Sequence, residues 1–150
     1  MYSLNETKMM PYDVNLIHQI IIDIENYPNF LPWCSSATIL SKNEKGLSAK
    51  LTIAFKSFAD SYVSQVSSRK IDNGYEVEAV AISGPFKHLK NVWKIKSLHN
   101  YSEVKFSIDF EFKSRILDMV MGIFFSTVTE KMIAAFETRA KELSVDCVIL

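Results

Sequence analysis

Apolar residues recur at three- and four-residue steps along one long stretch of the chain, from about Arg115 to Leu143. Leu117, Met121, Phe124, Val128, Met132, Ala135 and Phe136, with Phe125 beside them, fall on one stripe of a helix that turns about every 3.6 residues. No Pro interrupts this stretch, and Lys141 near its end suits the negative end of the helix dipole. Past Thr129 the opposite face is charged or small (Glu130, Ala134, Glu137, Lys141). Before it the same face reads Ile116, Met119, Val120 and Ile123, so the first half of the helix is apolar nearly all round and has to be covered by something. Loops packed over it and a position at the mouth of an apolar pocket both satisfy that requirement.

Elsewhere the pattern predicts shorter elements. Residues 2–10 read as an edge strand that stops before Pro11. Pro11-Tyr12-Asp13 opens a helix, with Asp13 as its N-cap or first-turn acid and Ile17, Ile20, Ile21 and Ile24 as its buried face, ending near Glu25. Asn26-Tyr27-Pro28-Asn29-Phe30-Leu31-Pro32-Trp33 then holds two prolines among large apolar groups. Each proline lacks an N–H and restrains the residue before it, so a short helical turn packed by its own rings is expected there. From Cys34 to Lys113 the period changes to two, with turn signals at 43–46, Asp72-Asn73-Gly74, Ser83-Gly84-Pro85 and His99–Ser102. Leu89, Asn91, Trp93 and Ile95 alternate with Lys90, Lys94 and Lys96. Val104, Phe106, Ile108, Phe110 and Phe112 then alternate with Lys105, Asp109, Glu111 and Lys113.

Consecutive hairpins with one apolar face give an antiparallel meander of about seven strands. A twisted sheet of that width curls, and only the C-terminal helix is long enough to fill its concave side. The fold class is therefore α+β, one domain over residues 1–143 followed by a tail at 144–150. Large inward residues stand on both layers, Phe55, Trp93, Phe106, Phe110 and Phe112 on strands and Phe124 and Phe125 on the helix. Such rings either interlock or hold the walls apart, and the pattern is consistent with both.

Composition changes this picture little. The 150 residues are 48% hydrophobic and 23% charged, which describes a folded chain. Seventeen basic and seventeen acidic side chains cancel, so DNA is not an expected partner and any charged partner must be met by a local patch. Cys34 and Cys147 have neither metal-ligand nor disulfide-framework spacing, and the first residues lack the layout of a signal or transit peptide. A cytoplasmic protein is expected. His18, His88 and His99 are paired with no nucleophile or carboxylate by a recognisable motif, so neither a catalytic set, a metal site nor a cofactor is expected.

Three blocks carry a resemblance. Tyr27-Pro28-Asn29-Phe30-Leu31-Pro32-Trp33-Cys34, then Gly84-Pro85-Phe86-Lys87-His88-Leu89 with Trp93, then Phe106–Ser114 running into the helix with Ala135-Phe136-Glu137-Thr138-Arg139-Ala140, stand in the order of the coenzyme Q-binding family of START-like domains. That family is polyketide cyclase/dehydrase-like and includes the bacterial ribosome association toxin subfamily. The resemblance covers residues 1–143 and implies a helix-grip fold with an apolar cavity, a ubiquinone-type lipid as ligand and a role in respiration.

On that reading the cavity walls are Phe30, Leu31 and Trp33 from the proline block and Phe55, Phe86, Leu89, Phe106, Phe110 and Phe112 from the strands. The helix would add Leu117, Met121, Phe124, Phe125, Val128 and Met132, and Asn91 or the Trp93 indole N–H would meet a quinone carbonyl. Tyr27, Pro28 and Pro32 would form a gate with Ile116, Val120 and Ile123, touching the bilayer, at the inner membrane if the protein is bacterial. An ordinary close-packed core is the alternative. The basic stripe Lys87, His88, Lys90, Lys94 and Lys96 would serve a ribosomal subunit or anionic lipid if it is more than a solvated face. A cyclase or hydrolase is the weakest reading, because the inward positions offer no acid–base pair. The last four residues, Cys147-Val148-Ile149-Leu150, match a prenylation pattern without a polybasic run and are read as coincidence.

Overall fold

Alternation along the strands and one capped helix near the N-terminus organise the chain. The structure, a computed structural model, describes residues 1–55 and 57–149, with side chains described as far as Ser144. The tail pattern Cys147-Val148-Ile149-Leu150 thus lies outside the residues described to side-chain level. Strand β1 (Tyr2–Met10) leads into helix α1 (Val14–Ile22). Asp13 holds an extended backbone and its carboxylate accepts the Asn15 N–H at 2.7 Å, the expected N-cap. Helix α1 stops at Ile22 rather than near Glu25, because Asp23 leaves helical geometry and a tighter 3-10 helix, Ile24–Asn29 with Pro28 inside it, takes over. Ile17, Ile20, Ile21 and Ile24 are buried as the spacing required.

Six antiparallel strands follow: β2 (Cys34–Asn43), β3 (Gly46–Phe55), β4 (Phe58–Ile71), β5 (Gly74–Ser83), β6 (Phe86–Leu98) and β7 (Tyr101–Phe112). The sheet order is β1-β7-β6-β5-β4-β3-β2, so β1 returns to pair with β7 and the outer edges are β1 and β2. Asn73 and Asn100 sit at φ 64° and 72° in the β4–β5 and β6–β7 turns, a left-handed backbone that asparagine tolerates better than most residues.

Helix α2 (Arg115–Ile149) lies along the sheet and, as a backbone helix, runs past the expected end at Leu143. Asp118 ties its first turn to the sheet by accepting the Phe112 N–H at 3.0 Å, and the Ser114 hydroxyl accepts the Leu117 N–H at 3.2 Å. Its buried positions are Met121, Thr129, Ile133, Phe136 and Ala140. Ile133 and Ala140, rather than Ala135, complete the buried stripe, because the covered face drifts around the helix as the sheet twists. The Thr129 hydroxyl is satisfied within the helix by the carbonyls of Phe125 and Ser126 at 2.9 and 3.1 Å. Two apolar clusters result. The larger gathers α1, the second half of α2 and the inward faces of β3–β7; the smaller lies under the first half of α2.

Candidate functional site

The two layers do not touch everywhere. A cavity of about 200 Å³ lies between the concave sheet face, the segment 27–34 and the middle of α2. Its sheet wall comes from Leu51 and Ile53 on β3, Tyr62, Ser64 and Val66 on β4, Val77 and Ala79 on β5, Leu89, Asn91 and Trp93 on β6, and Phe106 and Ile108 on β7. Val128, Met132 and Phe136 supply the helix wall, with Ile21, Ile24, Tyr27, Leu31, Pro32, Trp33 and Cys34 closing the end. The register accounts for this set, since residues opposed across an antiparallel pair share a face: Leu51 faces Tyr62, Val77 faces Trp93, and Trp93 faces Phe106.

Polar groups on the wall are few. The Asn91 amide donates to the Ser107 carbonyl at 2.8 Å, which fixes its orientation. Its carbonyl oxygen has no partner among the described residues. Ser64, buried on β4, borders the same cavity. The Tyr27 hydroxyl donates to the Ile21 carbonyl. Burial first, and then the nearby Tyr62, Cys34 and Asp23, push the Tyr27 hydroxyl far above its ordinary pKa. Tyr62 moves the same way through burial and Cys34. Burial pushes the Cys34 thiol up to about 11, against a smaller opposing hydrogen bond to Ser36. All three groups are therefore protonated at neutral pH, and the Cys34 thiol is not an activated nucleophile. Trp33 stands at φ 65°, a left-handed backbone rare for a bulky residue, where its carbonyl accepts the Ala54 N–H at 2.9 Å. Holding that conformation costs on the order of 1–3 kcal/mol, and it places an indole in the cavity wall.

Of the expected wall residues, Leu31, Trp33, Leu89, Asn91, Trp93, Phe106, Val128 and Met132 line the cavity. Most of the other rings interlock instead. Phe86 stacks on Phe112 at 4.7 Å, Phe110 meets Phe125 at 5.3 Å, and Phe55 meets Phe124 at 5.4 Å. With Leu117 and Met121 around it, this cluster forms a plug under the first half of α2. Phe30 points elsewhere, packing edge-on against Phe136 with the Arg139 guanidinium 5.5 Å above its ring. The selection of large inward side chains missed Ile21, Ile24, Cys34, Leu51, Ile53, Tyr62, Ser64, Val66, Val77, Ala79, Ile108 and Phe136. For Leu51, Ile53, Tyr62, Ser64, Val66, Val77 and Ala79 the signal was present as inward period-two positions on β3–β5, and space opens where inward side chains such as Ser64 and Ala79 are small, while Ile21, Ile24, Ile108 and Phe136 lie on the apolar faces of their own elements.

The expected gate divides into two places. Tyr27 and Pro32 line the cavity, while Pro28 lies in the 3-10 helix. The Tyr27 and Phe30 rings meet Phe136 in the second half of α2, not the helix start, because α1 docks at that end and carries the proline block with it. Ile116, Val120 and Ile123 sit apart, beside Tyr2, on an exposed face of α2. The basic stripe is also not a basic surface. Lys87, Lys90 and Lys94 pair with Glu111, Glu78 and Glu76 at 3.5, 3.9 and 3.7 Å, and His88 and Lys96 stand opposite Glu111 and Glu103 across the β6–β7 ladder. Exposed pairs of this kind contribute about 0–1 kcal/mol each, yet they cancel the charge a polyanion would read. His18 stacks on Tyr75 at 3.8 Å with its Nε2 2.7 Å from the Ser68 hydroxyl, away from the cavity. Among the described residues, no three His, Cys, Asp or Glu side chains gather closely enough to hold a metal ion.

Residues 10–137 match the family described as "Polyketide cyclase / dehydrase and lipid transport". The chain is 43% identical over 144 residues to a Rickettsia prowazekii protein named ribosome association toxin RatA, covering 95% of this chain and 99% of that one. It is 30% identical over 141 residues to the mitochondrial coenzyme Q-binding protein COQ10 homolog B of Xenopus laevis, covering 91% of this chain but 57% of that protein. A START superfamily protein from Mycobacterium smegmatis has the same fold, with a TM-score of 0.81 at 17% identity, over 95% of this chain and 99% of that one.

Proposed function

Because this chain belongs to the polyketide cyclase/dehydrase and lipid transport family, we propose that it binds and delivers ubiquinone or a related polyprenyl lipid, making and breaking no bond, in support of respiratory electron transport. The observation that carries this reading is the apolar cavity of about 200 Å³ with Asn91 fixed in its wall. A void of about 150 Å³ lined by apolar side chains accepts benzene, so this one suits a substituted ring and the start of a chain. The second Nδ2 N–H of Asn91, the first being donated to Ser107, would donate to a ring carbonyl, and the tail would add affinity at roughly 25 cal/mol per Å² of apolar surface removed from water. The titratable groups on the wall, Tyr27, Cys34 and Tyr62, are all held protonated by burial, which favours holding a ligand over acid–base chemistry on it. Among relatives, the protein named as coenzyme Q-binding is similar over nearly the whole of this chain.

Both tryptophans of the chain line the cavity, and a quinone quenches indole fluorescence on contact. Titration with a short-chain ubiquinone in detergent-free buffer is expected to give saturable quenching of Trp33 and Trp93. Asn91→Leu should weaken it about three- to tenfold by removing one hydrogen bond. Quenching that rises linearly without saturating would contradict the reading.

A second reading, regulation through association with ribosomal subunits, is favoured by the similarity to RatA across the full length of that protein. The alternating charges on β5–β7 give it no phosphate-binding stripe there, so co-sedimentation with purified subunits should show a shallow salt dependence if it occurs.

A further inference from the structure

From the exposed first half of α2, we infer that the protein docks on an anionic lipid bilayer, laying Ile116, Met119, Val120 and Ile123 into its interface. These four residues recur at i, i+3, i+4 and i+7, one face of a helix, and Ile116 and Ile123 are 77% and 76% exposed. By length and composition the segment Arg115–Ser144 could cross a membrane, and an 18-residue apolar window of it is only 22% buried. It does not span here, because Ile133, Phe136 and Ala140 in its second half are core residues against the sheet. What remains is a half-helix apolar on both sides, its inner side (Leu117, Met121, Phe125) packed on the ring cluster and its outer side (Ile116, Met119, Val120, Ile123) left without protein cover, the kind of surface that hydrocarbon can cover.

Charge selects the occupant. Lys113 and Arg115 are exposed at the start of the stripe and form no ion pair among the described residues. The two carboxylates nearest in sequence are already engaged, Glu111 with Lys87 at 3.5 Å and Asp118 with the Phe112 N–H at 3.0 Å. An apolar stripe edged by unpaired cations matches an anionic headgroup layer over hydrocarbon, whereas a second copy would bring like charges together. The face is also held rigidly for this purpose. The Tyr2 hydroxyl donates to the Asp118 carbonyl at 2.7 Å, and Gly122 leaves room for that ring, since a Cβ there would come within 2.3 Å of its oxygen. Tyr2 packs in turn on Phe110 and Phe125, whose cluster reaches the cavity through Leu89, Ile108 and Val128.

Co-sedimentation of the full chain with vesicles of phosphatidylcholine, with and without phosphatidylglycerol and free of quinone, tests this apart from any ligand in the cavity. Binding is expected with the anionic vesicles and should fall with added salt. Ile116→Asp with Ile123→Asp should weaken it at least about tenfold. Lys113→Gln with Arg115→Gln should weaken it on the order of 25-fold, about fivefold for each cation removed. Leu40→Asp, an exposed position on the opposite sheet edge, should leave it unchanged. All of these positions are exposed, so an unchanged far-UV circular dichroism spectrum and thermal unfolding midpoint in each variant report an intact fold whether or not the cavity takes a quinone. The inference is overturned if the wild-type chain stays in the supernatant, if the double aspartate variant sediments like wild type, or if those isoleucines prove to drive self-association or subunit binding without vesicle binding.

Discussion

Trp93→Ala is expected to lower the unfolding free energy by about 3–5 kcal/mol, the range for deleting a large buried aromatic side chain. Trp93 is 3% exposed and touches rings on both layers, Phe106 at 4.7 Å from β7 and Phe136 at 4.8 Å from α2. It stands opposite Phe106 in the β6–β7 register and Val77 in the β5–β6 register, on an interior strand next to the central β5 of the seven-stranded order. The cavity cannot collapse to compensate, because its wall already carries a void that the surrounding strands hold open. Urea unfolding should show a lower midpoint with little change in slope. A loss under about 1 kcal/mol would mean that the sheet and helix are not braced through this indole.

Ala79→Trp should abolish saturable quinone binding while leaving a folded chain. Ala79 is a small inward residue on β5 that faces Asn91 across the ladder and borders the 200 Å³ cavity, so an indole built there takes the space a ligand ring would use. Overpacking costs about 1–3 kcal/mol where a core is tight and less where a void receives the new atoms. Stability should therefore move by less than in Trp93→Ala while binding is lost. Ala134→Trp, on the exposed face of α2, should leave binding intact. Equal binding by Ala79→Trp and wild type would show that the ligand sits elsewhere.

The contrast between these two residues marks what sequence could and could not reveal. Period two, the Asn73 and Asn100 turns, the Asp13 cap and the long terminal helix are local signals, and together with the three family blocks they define the architecture. The location of the void is not local. Large rings at inward positions mark cavity walls and interlocked plugs equally well, and here Phe55, Phe86, Phe110, Phe112, Phe124 and Phe125 pair off while Ser64 and Ala79 leave room. The proline block likewise carries no mark of its partner. It meets Phe136 only because α1 docks on the far half of α2. A stripe of lysines read along one strand, finally, omits the carboxylates that Glu76, Glu78 and Glu111 bring from the strands beside it.

That the cavity is a lipid site is tested most directly by organic extraction of the freshly purified wild-type chain, followed by mass spectrometry, with Ala79→Trp extracted in parallel. The expected result is a polyprenyl quinone or related prenyl lipid recovered in near-stoichiometric amount from wild type and absent from the variant. Wild-type extracts free of such a lipid, from a chain that also fails to take up short-chain ubiquinone, would contradict the account.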